Sequence, residues 1–424
     1  MKVLMVSKAS SGGGAALAAY RLMLALRKQD ADVKMLVQEG GNEEEGVFAT
    51  SHGAFKRLIN FMRFVLERLA FLPHEKSPAI RFLFSLASTG EDLTKNPHFL
   101  EADIIHLHWI NAGFLSLRSL RKILKSGKPV VWTFHDEWIY TGGCHLALEC
   151  QGFTRQCGAC PYLRRPGKKD LSSRIWKRKE RLFRNFKFHV IAPSSWLLSR
   201  VQSSSLLGNY PVDLIPNLVD TNMFRPTDRD EACRSLGLDA DTRYILFGAP
   251  TMTGIFKGFE YFREAAAILK RELGEGAGVE ILLFGKSDKG VEKVFPLPAT
   301  NAGRVSKVED MAALYSVADV FVNPSLQESF GYTILESMLC GTPVVGFNTG
   351  AISEIIQHKI NGYLAAMKSA EDLAAGILWI LRSEKAETIS KNARSTMLEK
   401  FQEEEASAAH ISLYKRIISG EEAT

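Results

Sequence analysis

A chain of 424 residues, 46% hydrophobic and 24% charged, has the make-up of a soluble globular protein and is long enough for two domains of about 200 residues each. No apolar run reaches the roughly 18 residues a membrane span needs. The opening Met1-Lys2-Val3-Leu4-Met5-Val6 reads as a short strand rather than a signal peptide, because Ser7-Lys8 ends the apolar run at once, so a cytoplasmic protein is expected. The net charge of +6 conceals an asymmetry: residues 1–216 carry 31 Lys/Arg against 18 Asp/Glu, and the remainder carries 22 against 29. The first half is therefore suited to an anionic partner, with a membrane surface and nucleic acid as the candidates.

Strand-like runs begin near Val3, Val33, Asp103, Pro129, His189 and Val212, then near Tyr244, Val279, Ala299, Val320, Pro343 and Gly362. Helical patterns alternate with them, which predicts an α/β protein built from two doubly wound, Rossmann-like parallel-sheet domains. The boundary is expected near Ile215–Asp220, giving domains over 1–216 and 217–402, with an amphipathic helix in 403–424. In such sheets ligands lie beyond the carboxyl ends of the strands, so the residues at those ends are the ones to weigh.

Strand one runs into Gly12-Gly13-Gly14, where the backbone can approach a ligand closely and offer amides at a helix start. A flexible turn is the plain alternative. The loop is neither a GxGxxG fingerprint nor a Walker lysine loop. The stretch Phe55–Leu72 mixes apolar and basic residues at helical spacing. His106 and His108 lie along one strand and are expected on opposite faces, leaving His108, with Trp109 and Asn111, as the better group to face a ligand. His135 stands at the end of Pro129–Phe134, where a buried, satisfied histidine is the ordinary reading. Cys144, Cys150, Cys157 and Cys160 crowd one insertion, and a closing CxxC in a cytoplasmic chain suggests structural zinc, with free thiols or a redox pair as the alternative. Residues 164–187 hold eleven Lys/Arg with Trp176, Phe183 and Phe186 among them. With 55–72 they suggest a helix docked on anionic lipid; a solvated helix face over the core is the plain alternative, and no nucleic-acid motif accompanies the charge.

The most informative segment is Pro324-Ser-Leu-Gln-Glu328-Ser-Phe-Gly331-Tyr-Thr-Ile-Leu-Glu336, followed by Gly341-Thr-Pro343-Val-Val345. Glu328 falls in a loop, Glu336 in an apolar-periodic helix, and Gly341 and Pro343 stop that helix before a buried strand. A loop opening onto a helix presents unpaired amides and a positive dipole end to an anion. One carboxylate stands before this cradle and a second roughly 9 Å along it at about 1.5 Å per residue. That arrangement suits a sugar nucleotide.

Here the sequence resembles the retaining glycosyltransferases of family 4, whose signature is a Glu-x7-Glu of this kind. The resemblance implies a GT-B fold, two Rossmann-like domains facing across a cleft with the last helix crossing back to the first. It implies transfer of a sugar from a nucleotide-sugar donor, with retained configuration and no cofactor or catalytic metal, to a saccharide or lipid-linked saccharide acceptor in cell-surface polysaccharide synthesis. It assigns His135 and Glu328 to the reacting sugar, with His108, Trp109 and Asn111 on the acceptor side. Donor binding would fall to Gly13, Gly14, Lys257, Ser329, Phe330, Gly331 and Glu336, with Glu336 on the ribose. The family's diphosphate-binding arginine is absent, since Gly248 is followed by Ala249: either one cation is missing, or the loop hydroxyls and Arg304 or Lys307 substitute. A sugar-nucleotide epimerase on the same fold and a catalytically silent nucleotide-sugar-binding module are the alternative readings. A peripheral position at the inner face of the cytoplasmic membrane is expected.

Overall fold

The computed structural model describes residues 1–421. The chain divides into two compact units, residues 1–218 with 403 onward, and 219–402. Residues 422–424 of the expected last helix lie outside the described residues.

In the first unit, seven strands form one parallel sheet: β1 (Lys2–Val6), β2 (Asp32–Val37), β3 (Val47–Ala49), β4 (Ile104–Leu107), β5 (Val130–Thr133), β6 (His189–Ala192) and β7 (Val212–Leu214). Their order is β3-β2-β1-β4-β5-β6-β7. The second unit has six: β8 (Arg243–Thr251), β9 (Val279–Lys286), β10 (Ala299–Asn301), β11 (Ala318–Asn323), β12 (Val344–Phe347) and β13 (Gly362–Ala365), in the order β10-β9-β8-β11-β12-β13. Every pairing between these strands is parallel, as in Val3 opposite Ile104 and Val344 opposite Gly362. Central strands are buried on both faces, which is why they read as continuous Val/Ile/Leu runs with no alternation. Strand order reverses between β1 and β4 and again between β8 and β11, and at such switch points the loops diverge and leave a crevice.

The C-terminal helix Glu403–Ser419 belongs to the first unit. It packs beside the Gly14–Lys28 helix, with Leu413 and Tyr414 in one core with Leu22, Leu26 and Met5. Lys28 Nζ meets Glu403 Oε1 at 2.7 Å.

Two expectations are corrected here. His106 and His108 do not point apart: side chains two residues apart on a strand share a face, and their rings lie 4.2 Å from each other. The Leu171–Phe183 helix turns its aromatic face inward, burying Ile175, Trp176, Leu182 and Phe183, so of the basic stretch only the helix's outer cations and the 164–169 loop are left to meet a partner. The Ala54–Phe71 helix does the reverse. It buries Asn60 and Glu67 and presents Phe55, Leu58, Phe61, Met62, Leu66 and Leu69 outward.

Candidate active site

In the second unit the site is built at the ends of β8 and β11. After Asn323 the chain runs through Pro324–Phe330, and Gly331, at φ +87°, turns it into the Tyr332–Leu339 helix. A left-handed residue at this entry favours glycine. The carbonyl of Glu328 accepts from Ala351 N at 2.9 Å, which fixes its backbone. Its partly exposed carboxylate takes a 2.6 Å hydrogen bond from Lys257 Nζ. Lys257 is positioned by a turn, its amide donating to Gly254 O at 2.8 Å, while Leu326 N donates to Phe256 O at 2.8 Å and laces the two loops together. Gly258 makes that approach possible. It sits at φ +72°, and a Cβ there would fall 1.9 Å from Pro324 O.

A small pocket between these loops is lined by Gly248, Ala249, Lys257, Asn323, Ser325 and Thr333. Asn323 Nδ2 donates to Thr333 Oγ1 at 3.3 Å. Ser329 and Glu336 are nearly buried, Glu336 on the inward part of the helix. Phe330 is a core residue, its ring 5.0 Å from Tyr332 and 5.7 Å from Phe401, so only its backbone is available to a ligand. Arg304 and Lys307 are exposed on the segment after β10, which hydrogen bonds tie to β9 through Gly285 N and Gly303 O.

In the first unit, Gly12 at φ +88° ends the β1 loop, and Gly13, extended, precedes the helix that opens at Gly14. A side chain at Gly13 would meet nothing within 4 Å, so the space over this loop is open. Beside it, at the ends of β1 and β4, three buried polar atoms have no hydrogen-bond partner among the described residues: Ser7 Oγ, His108 Nε2 and Asn111 Nδ2. Unsatisfied buried polar groups are uncommon, and these three follow two neighbouring strands at one switch point. Ser7 was missed in the sequence, although its place at the end of β1 was a readable signal.

His108 Nδ1 lies 3.0 Å from His135 Nε2, which leaves Nδ1 of His135 for a ligand. Burial lowers the His135 pKa to about 4, and burial together with neighbouring imidazoles holds His108 well below its ordinary value, so both are neutral at pH 7. Behind them His106 is bracketed by Tyr414 Oη at 2.6 Å and Thr133 Oγ1 at 2.7 Å. Trp109 is held in place by its Nε1, which donates to Asp136 Oδ2 at 2.9 Å. The same oxygen lies 2.7 Å from His145 Nδ1. Burial pushes the Asp136 pKa up, but His145 and hydrogen bonds from Trp138 N and Trp109 outweigh it and hold the carboxyl below its usual value. An open concavity off the ends of β2 and β3, lined by Glu39, Glu43, Ser51, His52 and Arg57, completes this side.

The four insertion cysteines gather in one part of the first unit. Cys144, Cys157 and Cys160 are buried in the apolar core of the first unit, Cys150 packs against it, and all four thiols are free. Gly142 N donates to Cys157 Sγ at 3.1 Å and Gly152 N to Cys150 Sγ at 3.4 Å. Among the described residues no group of three His, Cys, Asp or Glu side chains is disposed to hold a metal ion. Burial raises the Cys157 thiol to about 11 and Cys160 to about 12.

Two parallel-sheet Rossmann-like units in tandem, each with its loops gathered at a switch point, define the GT-B class of glycosyltransferases. Solved structures of the same fold include sucrose-phosphate synthase from Thermosynechococcus elongatus, with a TM-score of 0.69 and 18% identity over 99% of this chain and 100% of that one. Anabaena HepE in complex with UDP and glucose has a TM-score of 0.62 and 18% identity over 98% and 99%. The family described as Glycosyltransferase Family 4 matches residues 12–223, and the one described as Glycosyl transferases group 1 matches residues 243–383. A D-inositol 3-phosphate glycosyltransferase of Pseudarthrobacter chlorophenolicus is 27% identical over 72% of this chain and 67% of its own length. A second, from Actinosynnema mirum, is 30% identical over 44% of the chain and 48% of its length. The chain belongs to glycosyltransferase family 4. No helix of the described residues is long and apolar enough to cross a membrane.

Proposed function

We propose that the chain transfers a hexosyl group from a nucleoside diphosphate sugar to a saccharide acceptor, with retention of anomeric configuration. The observation that carries this reading is the Lys257–Glu328 pair, set at the end of β11 beside the entrance of the Tyr332–Leu339 helix. In this reading Lys257 and the amides of Ser329–Gly331 neutralise the departing diphosphate, where negative charge grows as the sugar–oxygen bond breaks. Glu328 grips sugar hydroxyls and Glu336 the ribose. The acceptor hydroxyl forms the new bond to the anomeric carbon, and its proton passes to the leaving phosphate oxygen, so no cofactor is consumed. The matched relatives named for inositol phosphate and the HepE complex with UDP and glucose support a nucleotide-sugar donor.

The first unit supplies the acceptor side. His108, Asn111 and Ser7 offer polar atoms that lack partners, and His135 stays neutral to bond a hydroxyl in either direction. The open concavity at Glu39–Arg57 has room for a chain of sugars. It abuts the outward-facing Ala54–Phe71 helix at Arg57, which favours a lipid-linked saccharide of cell-surface polysaccharide synthesis and work on the cytoplasmic side of a membrane.

The test is a panel of sugar nucleotides screened by thermal shift, since a ligand of the native state raises the melting temperature. The donor so found is then incubated with oligosaccharide acceptors and the product's anomeric configuration read by NMR. An inverted product, or free sugar released at the same rate with and without acceptor, overturns the reading.

A further inference from the structure

The Ala54–Phe71 helix is amphipathic in the opposite sense to a core-covering helix. Phe55, Leu58, Phe61, Met62, Leu66 and Leu69 recur at the spacing of one helical stripe and are 45–77% exposed. Phe82, 66% exposed, stacks on Phe64 at 6.4 Å and widens the stripe. So broad an apolar face on an isolated chain marks a surface that something covers.

The helix cannot roll to hide it. Glu67, fully buried, accepts from the amides of Leu86, Ala87 and Gly113, each at 3.0 Å. Arg68 donates to the carbonyls of Arg81 at 2.6 Å and Phe84 at 3.2 Å. Rolling the helix by half a turn would strip these bonds from a buried carboxylate, a costly loss. The apolar stripe is therefore held outward by the polar one.

Charge says what covers it. Lys56 and Arg57 stand exposed at the start of the helix. At its far end the chain is tied to a cationic loop, with Lys76 N donating to Tyr162 O at 3.1 Å and Arg164 N to His74 O at 2.8 Å. That loop presents Arg164, Arg165, Lys168 and Lys169 to solvent. An apolar stripe with cations at both ends matches a bilayer interface, where apolar side chains enter the acyl boundary and cations meet anionic headgroups. A second copy of the same face would instead set like charges against each other.

We propose that the Ala54–Phe71 helix, with the 164–169 loop, is a docking surface for an anionic lipid bilayer. This deepens the membrane-side reading above but does not depend on the transfer chemistry. Glu67 also bonds the amide of Gly113, two residues from Asn111, so the helix is anchored directly to the loop that carries the acceptor-side groups.

The experiment is co-sedimentation of the full chain, without donor, with phosphatidylcholine vesicles and with vesicles that also contain phosphatidylglycerol. Binding at least tenfold tighter to the anionic vesicles is expected, lost near 1 M salt, where the screening length falls to about 3 Å. Phe61→Ser with Leu69→Ser, both at exposed positions, should lower it at least tenfold while the melting temperature and donor shift stay unchanged. Arg164→Glu with Lys168→Glu should remove the preference for anionic lipid. Equal affinity for neutral and anionic vesicles, or no binding to either, overturns the proposal. So does a stable dimer in sedimentation velocity that the serine pair dissolves, which would assign the face to a second copy of the chain.

Discussion

Lys257 Nζ lies 2.6 Å from Glu328 Oε1, which joins the loop after β8 to the loop after β11 by a direct ion pair. Both side chains are only partly exposed, so the pair is less screened than a surface bridge. If Lys257 grips the diphosphate and Glu328 the sugar, the two must share their attachment with the substrate. Glu328→Gln should lower kcat/KM by about 100-fold or more, the scale of a misplaced reacting group. Lys257→Ala should lower kcat as well as raise the donor KM, because the charge it meets grows as the bond breaks. The double mutant should deviate from additivity by about 0.5–3 kcal/mol in a cycle of kcat/KM values. Strict additivity would show that the two side chains act separately.

Gly258→Ala is expected to be damaging far beyond its single methyl. Its φ of +72° and the 1.9 Å approach to Pro324 O leave no place for a Cβ. A loss of about 1–3 kcal/mol in urea unfolding is expected from strain alone, and the displaced Lys257 should weaken donor binding. Gly13→Ala is the contrast. Gly13 is extended and open, so its stability should be unaffected while activity falls if a ligand comes close to that backbone. Full activity in Gly13→Ala would remove the β1 loop from the site.

The buried histidines predict acid sensitivity. His410 has its pKa lowered to about 4 by burial, and His106 lies well below its usual value for the same reason and because of neighbouring imidazoles. The unfolded chain, at about 6.5, takes up these protons first. Stability is therefore complete above about pH 6.5 and is lost as pH falls toward 4, by about 1.4 kcal/mol per pH unit for each histidine. His410→Phe should flatten that slope by about one proton. Identical pH profiles for mutant and parent would remove His410 from the linkage.

The insertion cysteines should behave as packed thiols. A chelator should leave the melting temperature unchanged, and Cys157 and Cys160, with raised pKa values, should react slowly with thiol reagents until the chain unfolds. One zinc per purified chain, or a large drop in melting temperature with chelator, would contradict this.

Much of the site was legible because its signals were local. The apolar run after Ala318, the loop with Glu328, and the helix stopped by Gly341 and Pro343 each occupy contiguous sequence, and the structure keeps them in that order. Lys257 could be found beside Gly258 for the same reason. Facing was harder. The patterns of 55–72 and 164–187 show apolar residues among basic ones, but not which side meets the core; the long-range hydrogen bonds of Glu67 and the core packing of Trp176 decide it. The histidine pair was misjudged because a two-residue spacing was taken as alternation across the sheet. Asp136, tied to Trp109 and His145, was overlooked because its partners lie 27 and 9 positions away.

The placement of Tyr414 against His106 and of Leu413 beside Leu22 makes the first unit discontinuous in the chain. A ribosome releases the strands of that unit long before it releases the segment that seals them. Until Leu413 and Tyr414 have left the ribosome, the sheet lacks the side chains that cover this part of its apolar face, and exposed apolar surface of that kind favours aggregation. Maturation of the N-terminal half thus waits for the last helix to be synthesised.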